Sequence, residues 1–92
     1  MDEAAFRKLL ASQGYAETRE FTMEPGAFND THTHEFDAHA LVLDGEITLT
    51  KRSGERTCRL GDTSTLVAHE PHTEKAGPDG VRLLIGLKPA SH

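Results

Sequence analysis

The chain has 92 residues, with 15 acidic and 10 basic side chains and a formal net charge of −5 at pH 7. That length is one domain. The acidic balance, with no lysine or arginine cluster, speaks against a phosphate-backbone partner, so no nucleic acid is expected. The apolar runs are too short to span a bilayer, so no membrane is expected either. The opening Met1-Asp2-Glu3 lacks the basic and apolar stretches of a secretory leader, and a cytoplasmic location is the expectation. A domain of this size buries only about 60% of its unfolded surface. A bound metal or a second copy of the chain would add stability, and a homodimer is expected.

Asp2 to Ser12 reads as a short helix, with Asp2 as its cap, Phe6, Leu9 and Leu10 on one face, and Gly14 just past its end. Residues 1–15 are therefore assigned to an N-terminal helix and 16–92 to one barrel domain. Thr18 to Met23 is strand-like, and Glu24-Pro25-Gly26 breaks it. The polar segment Asn29 to His34 follows, then a buried strand at Ala40–Leu43. Asp44-Gly45 is expected to form a tight turn, with Glu46 to Thr50 alternating apolar and polar residues beyond it. Arg52-Ser53-Gly54 turns the chain again before strands at Arg56–Leu60 and Thr63–Val67. His69 to His72 is a polar corner. Gly77-Pro78-Asp79-Gly80 is expected to be a turn leading to a half-exposed last strand, in which Val81, Leu83, Ile85 and Leu87 alternate with Arg82, Leu84, Gly86 and Lys88. Pro89 to His92 are expected to fray. Short strands separated by frequent turns point to an all-β, antiparallel sandwich or barrel.

Histidine is distributed unevenly: five of the six lie between His32 and His72. Residues two apart in a strand point to the same side, so His32 and His34 can share one metal ion, and imidazole suits zinc, copper, nickel and iron. The strands and turns that follow allow His72 to fold back beside them. Glu35, Asp37 and Glu74 are carboxylates able to ligate or orient ligands. Cys58 has no second cysteine to pair with and reads as a small buried apolar residue.

These motifs resemble those of the cupins, the superfamily of small β-barrels. The first cupin motif has a glycine, five residues and HxH; here Gly26 is followed by five residues and His32-Thr33-His34. The strand Leu41-Val42-Leu43 leads to Asp44-Gly45-Glu46, similar to the family's strand ending in Gly-Glu. Gly61-Asp62 opens the second motif, and His72 stands where the family has its last histidine. The resemblance implies a small antiparallel barrel or jelly roll holding a divalent transition metal (iron, manganese, nickel or zinc) on His32, His34 and His72.

Two departures leave alternatives open. The motif glutamate is absent, and counting places its position at Ala38 or His39. A regular strand from His34 onward turns Ala38 to the metal and His39 away, whereas a bulge within Phe36-Asp37-Ala38 makes His39 the fourth ligand with Asp37 behind it. Otherwise water completes the site. Val67-Ala68-His69 replaces Pro-x-Gly in the second motif, making His69 a loop residue near the pocket. The resemblance implies a site with an exchangeable position, open to a small-molecule ligand or substrate. Two functions compete, a metal-dependent enzyme acting on a small molecule and a non-catalytic metal- or ligand-sensing module. A mere dimerisation scaffold fits the clustered histidines least.

Overall fold

A computed structural model describes residues 1–90 of the chain. Ser91 and His92, the end of the segment expected to fray, lie outside the described residues. Helix α1 covers Glu3–Ser12. The Asp2 carboxylate accepts the Ala5 backbone N–H at 2.8 Å, satisfying one of the free donors of the first turn. At the other end Gly14 takes φ +83°. The N–H groups of Gly14 and Tyr15 close on the carbonyls of Ala11 and Leu10 at 3.3 and 3.0 Å. A left-handed glycine with this pair of bonds is a Schellman ending.

Six strands follow: β1 Glu17–Met23, β2 Phe28–His32, β3 Phe36–Lys51, β4 Gly54–Arg59, β5 Thr63–Leu66 and β6 His72–Pro89. All pairings are antiparallel. The frame is the long ladder of β3 on β6, which runs from Phe36 opposite Pro89 to Lys51 opposite His72. Its register shifts between Val42 and Asp44 and between Gly45 and Ile47. On one side of this bend, β1 flanks β6 at 81–87 and β5 flanks β3 at 38–41. On the other side, β2 flanks the start of β6 and β4 flanks the end of β3. The result is two four-stranded layers that share their two central strands, a jelly-roll barrel.

The two expected turns at Asp44-Gly45 and Gly77–Gly80 are not turns; both strands run straight through them. Gly45 and Gly80 do take positive φ, +76° and +78°. A Cβ on Gly45 would overlap the Gly80 carbonyl. The two glycines let the paired strands bend together at close approach, which is a bulge requirement with the same residue signature as a hairpin. The turn at Arg52-Ser53 is present and joins Lys51 to Gly54. Pro89 is not frayed, since it pairs with Phe36.

The core has two parts. Val42, Ile47, Leu49, Cys58, Ala76, Val81 and Leu83 fill the barrel interior. Phe6 and Leu10 of α1 pack on Leu41 and Leu84 outside it. The last strand is consequently not half-exposed where the helix lies, and Leu84 is as buried as the inward residues. Through this contact α1 packs over the sheet on its Phe6–Leu10 face, and Cys58 is buried as expected.

Candidate metal centre

The end of β2 and the start of β6 pair so that His32 stands directly opposite His72. His34 follows two residues after His32, in the short connection to β3. Its carbonyl accepts the His69 backbone N–H at 2.7 Å, which ties this connection to the β5–β6 loop. One ligand atom from each of the three histidines lies within 4.8 Å of the other two. The ring centroids are 4.3 Å apart for His32 and His72, 4.9 Å for His32 and His34, and 5.1 Å for His34 and His72.

The backbone fixes which nitrogens are available. His72 Nδ1 lies 2.9 Å from the Glu70 carbonyl, and His32 Nδ1 lies 2.7 Å from the Asp30 carbonyl. A carbonyl only accepts, so each Nδ1 carries the proton and each Nε2 presents its lone pair. This is the outer-shell pattern of metal-binding histidines. His72 is fully buried, and its Nε2 has no hydrogen-bond partner. A buried polar atom without a partner costs free energy unless something binds it. The His34 ring stacks on Phe36 at 4.8 Å. Burial pushes its pKa below the ordinary histidine value, and His32 and His72 push it further down against an opposing pull from Glu74. Neutral imidazoles at this spacing, one of them orphaned, fit a divalent transition metal.

Glu74 is the carboxylate that the fold brings to the trio. Its Oε1 lies 3.4 Å from His32 Nε2 and accepts an N–H from the Asn29 side chain at 3.1 Å. His34 and Glu74 also line a cavity of about 190 Å³ in the barrel interior, walled chiefly by aliphatic and phenylalanine side chains.

The other candidates lie elsewhere. β3 is regular from Phe36 to Val42, so Ala38 faces the cavity and His39 faces away. His39 is therefore not brought to the trio. It is buried beneath α1, with Nδ1 2.9 Å from Gln13 Oε1 and its ring edge-on to Phe6 at 5.0 Å. Asp37 shares that outward face. Its carboxylate accepts the Ala68 backbone N–H at 2.8 Å, and its charge contributes to raising the Tyr15 pKa behind the larger effect of burial. Asp37 thus braces the β5–β6 loop from behind rather than entering the pocket. The His69 side chain is exposed and its φ is +67°; only its backbone serves the site. Glu35 is exposed. The Asp30 and Glu70 carbonyls and the Phe36 ring were not anticipated as parts of the site. Backbone acceptors carry no residue signature, and Phe36 reads as an ordinary strand residue.

Burial lowers the His39 pKa below its usual value. A depressed folded-state pKa means that the unfolded chain takes up the proton first. His39 therefore supports the fold fully above about pH 6.5, and that support is lost as pH falls through its folded pKa. With metal removed by chelator, the native protein should lose more melting temperature between pH 7 and pH 5 than His39→Leu does. Equal losses would show that His39 is not the titrating group.

No family model matches the sequence, and a search of curated proteins finds no match. Solved structures do match. The chain is similar to a protein of unknown function from Rhizobium leguminosarum bv. viciae 3841, with TM-score 0.75 and 19% identity over 78% of this chain and 68% of that one. It is similar to an RmlC-like cupin from Shewanella frigidimarina NCIMB 400, with TM-score 0.69 and 21% identity over 82% and 67% of the two chains. It is also similar to KdgF from Halomonas sp., with TM-score 0.66 and 23% identity over 78% and 68%. Among the described residues no helix is long and apolar enough to cross a membrane. These likenesses show the fold: the chain has the small β-barrel fold of the cupin structures it matches.

Proposed function

We propose that the chain binds one divalent transition metal (iron, manganese, nickel or zinc) on His32, His34 and His72 and presents it to a small molecule held in the barrel. The observation that carries this reading is His72 Nε2, buried, without a partner, and aimed at the other two rings by a fixed tautomer. A metal bound by three imidazoles keeps open positions and acts as a Lewis acid toward a ligand. Within the chain, the Glu74 carboxylate stands beside the His32 donor nitrogen, placed to join the donor set or to take a proton from a bound ligand, while Asp37 and the Glu70 and Asp30 carbonyls hold the donor set in place. Elemental analysis of the purified protein, before and after reconstitution, is expected to find about one equivalent of metal per chain. Failure to retain any of the four metals after reconstitution would overturn the proposal.

Self-association is part of the same reading. β1 pairs with β6 and ends the strand order on that side, leaving its outer edge open among the described residues. Open edges invite pairing. Sedimentation equilibrium is expected to give about twice the 10.1 kDa chain mass. A mass of one chain at high concentration would count against it.

A further inference from the structure

The barrel cavity touches the metal centre on one side and is walled elsewhere mainly by apolar side chains. β3 points two alanines, Ala38 and Ala40, inward at successive positions. Their small size leaves the space that Phe21, Phe36, Leu83 and Ile85 enclose. His34 and Glu74 line the same space, so it opens directly onto the donor set. Of the other polar lining residues, Arg19 and Glu20 belong to strand β1 and are engaged in ion pairs with Glu17 and Arg82. Ser64 is the remaining one. The cavity measures about 190 Å³. An apolar cavity of about 150 Å³ admits benzene, so this one holds a body of roughly five to eight carbon atoms.

Those walls decide the ligand's chemistry. A hydroxyl buried against the aliphatic and phenylalanine walls gives up its water and finds few replacement partners beyond Ser64, so sugars and polyols, with several hydroxyls, are disfavoured. Each methylene that leaves water for the cavity strengthens binding about fourfold. At the other end, a dication on three neutral imidazoles retains net positive charge and favours an anionic oxygen donor. We infer that the ligand of this site is a small apolar acid: a compact hydrocarbon body ending in one carboxylate-like oxygen pair, with the oxygens at the metal and the body beside Ala38 and Ala40. This inference rests on the metal-binding reading above and names the substrate class for it.

Calorimetric titration of the nickel(II)-loaded protein with acetate, hexanoate and 6-hydroxyhexanoate tests it. All three carry the same oxygen pair. Hexanoate is expected to bind at least tenfold more tightly than either acetate or the hydroxylated acid. Ala40→Leu fills the cavity without touching a histidine, and is expected to reduce hexanoate binding at least tenfold while nickel stoichiometry stays the same. Ala40→Val makes the same test with less added volume, and nickel stoichiometry reports whether each variant is folded. Nickel bound, with hexanoate no better than acetate or unaffected by either substitution, would overturn the ligand class alone. If the native protein binds no nickel, the same titration is run on whichever of iron, manganese or zinc it retains; retention of none would overturn the metal reading, and this inference with it.

Discussion

Replacing His72 with alanine is expected to remove the metal, with affinity falling at least about 100-fold. The loss of even an outer partner of a ligand costs about 10- to 100-fold. His72 is the one buried member of the trio; His32 and His34 are partly exposed. Without it, the trio is reduced to two imidazoles, His32 at the end of β2 and His34 just beyond it. A ligand that binds only the folded state stabilises it by about 2.7 kcal/mol at a concentration 100 times its dissociation constant. For a domain of this size that is roughly 10–20 °C in melting temperature. Circular dichroism melts of the native protein should therefore shift by that order when chelator is added, and melts of His72→Ala should shift by no more than about 3 °C. Comparing each protein with and without chelator separates metal loss from the cavity the substitution leaves. His69→Asn is the matched control, because asparagine tolerates the positive φ and the His69 side chain is exposed. It should keep both metal and shift. Metal retained by His72→Ala would refute the assignment of the centre.

Phe6→Ala should be the most damaging change outside the site, at about 3–5 kcal/mol. The Phe6 side chain has no solvent exposure and packs with Leu10 on Leu41, Leu84 and the edge of His39. Small domains are stable by only about 5–15 kcal/mol, and one of this size belongs near the lower end. The substitution is expected to lower the urea midpoint by about 2 M. At the next position of the helix, on its solvent side, Arg7→Ala breaks only the exposed pair with Glu3 and should change stability by less than about 0.5 kcal/mol. Equal effects from the two substitutions would mean that α1 is not docked on the sheet.

The sequence carries the histidine trio openly, because ligand chemistry restricts residue type and the pair His32-Thr33-His34 keeps its spacing from Gly26. It also carries α1, whose cap and terminal glycine are both used. It does not distinguish a hairpin from a bulge at Gly45 and Gly80. Both geometries ask for the same positive φ, and only the partner strand decides between them. The same limit governs His39. Its side of β3 depends on one residue of parity, and no residue type between His34 and Leu41 reports a bulge or its absence. Alternation sets Leu84 on an exposed face because it describes one strand, whereas the cover of Leu84 comes from a helix some seventy positions earlier. The loop contacts that hold the trio are legible least of all, since the Asp30, His34 and Glu70 carbonyls could belong to any residue.

His32 and His72 meet across the pairing of β2 with β6, at the very first residue of the last strand. Between them in the chain lies the whole of β3, β4 and β5. Closing so long a loop is slow and has to precede its reward. An ion is therefore not expected to seed this protein in the way it seeds a zinc finger, all of whose ligands sit close along the chain. It can only be captured late, by a barrel already assembled, so the rate of metal uptake during refolding should track the formation of the β3–β6 ladder rather than the concentration of free metal.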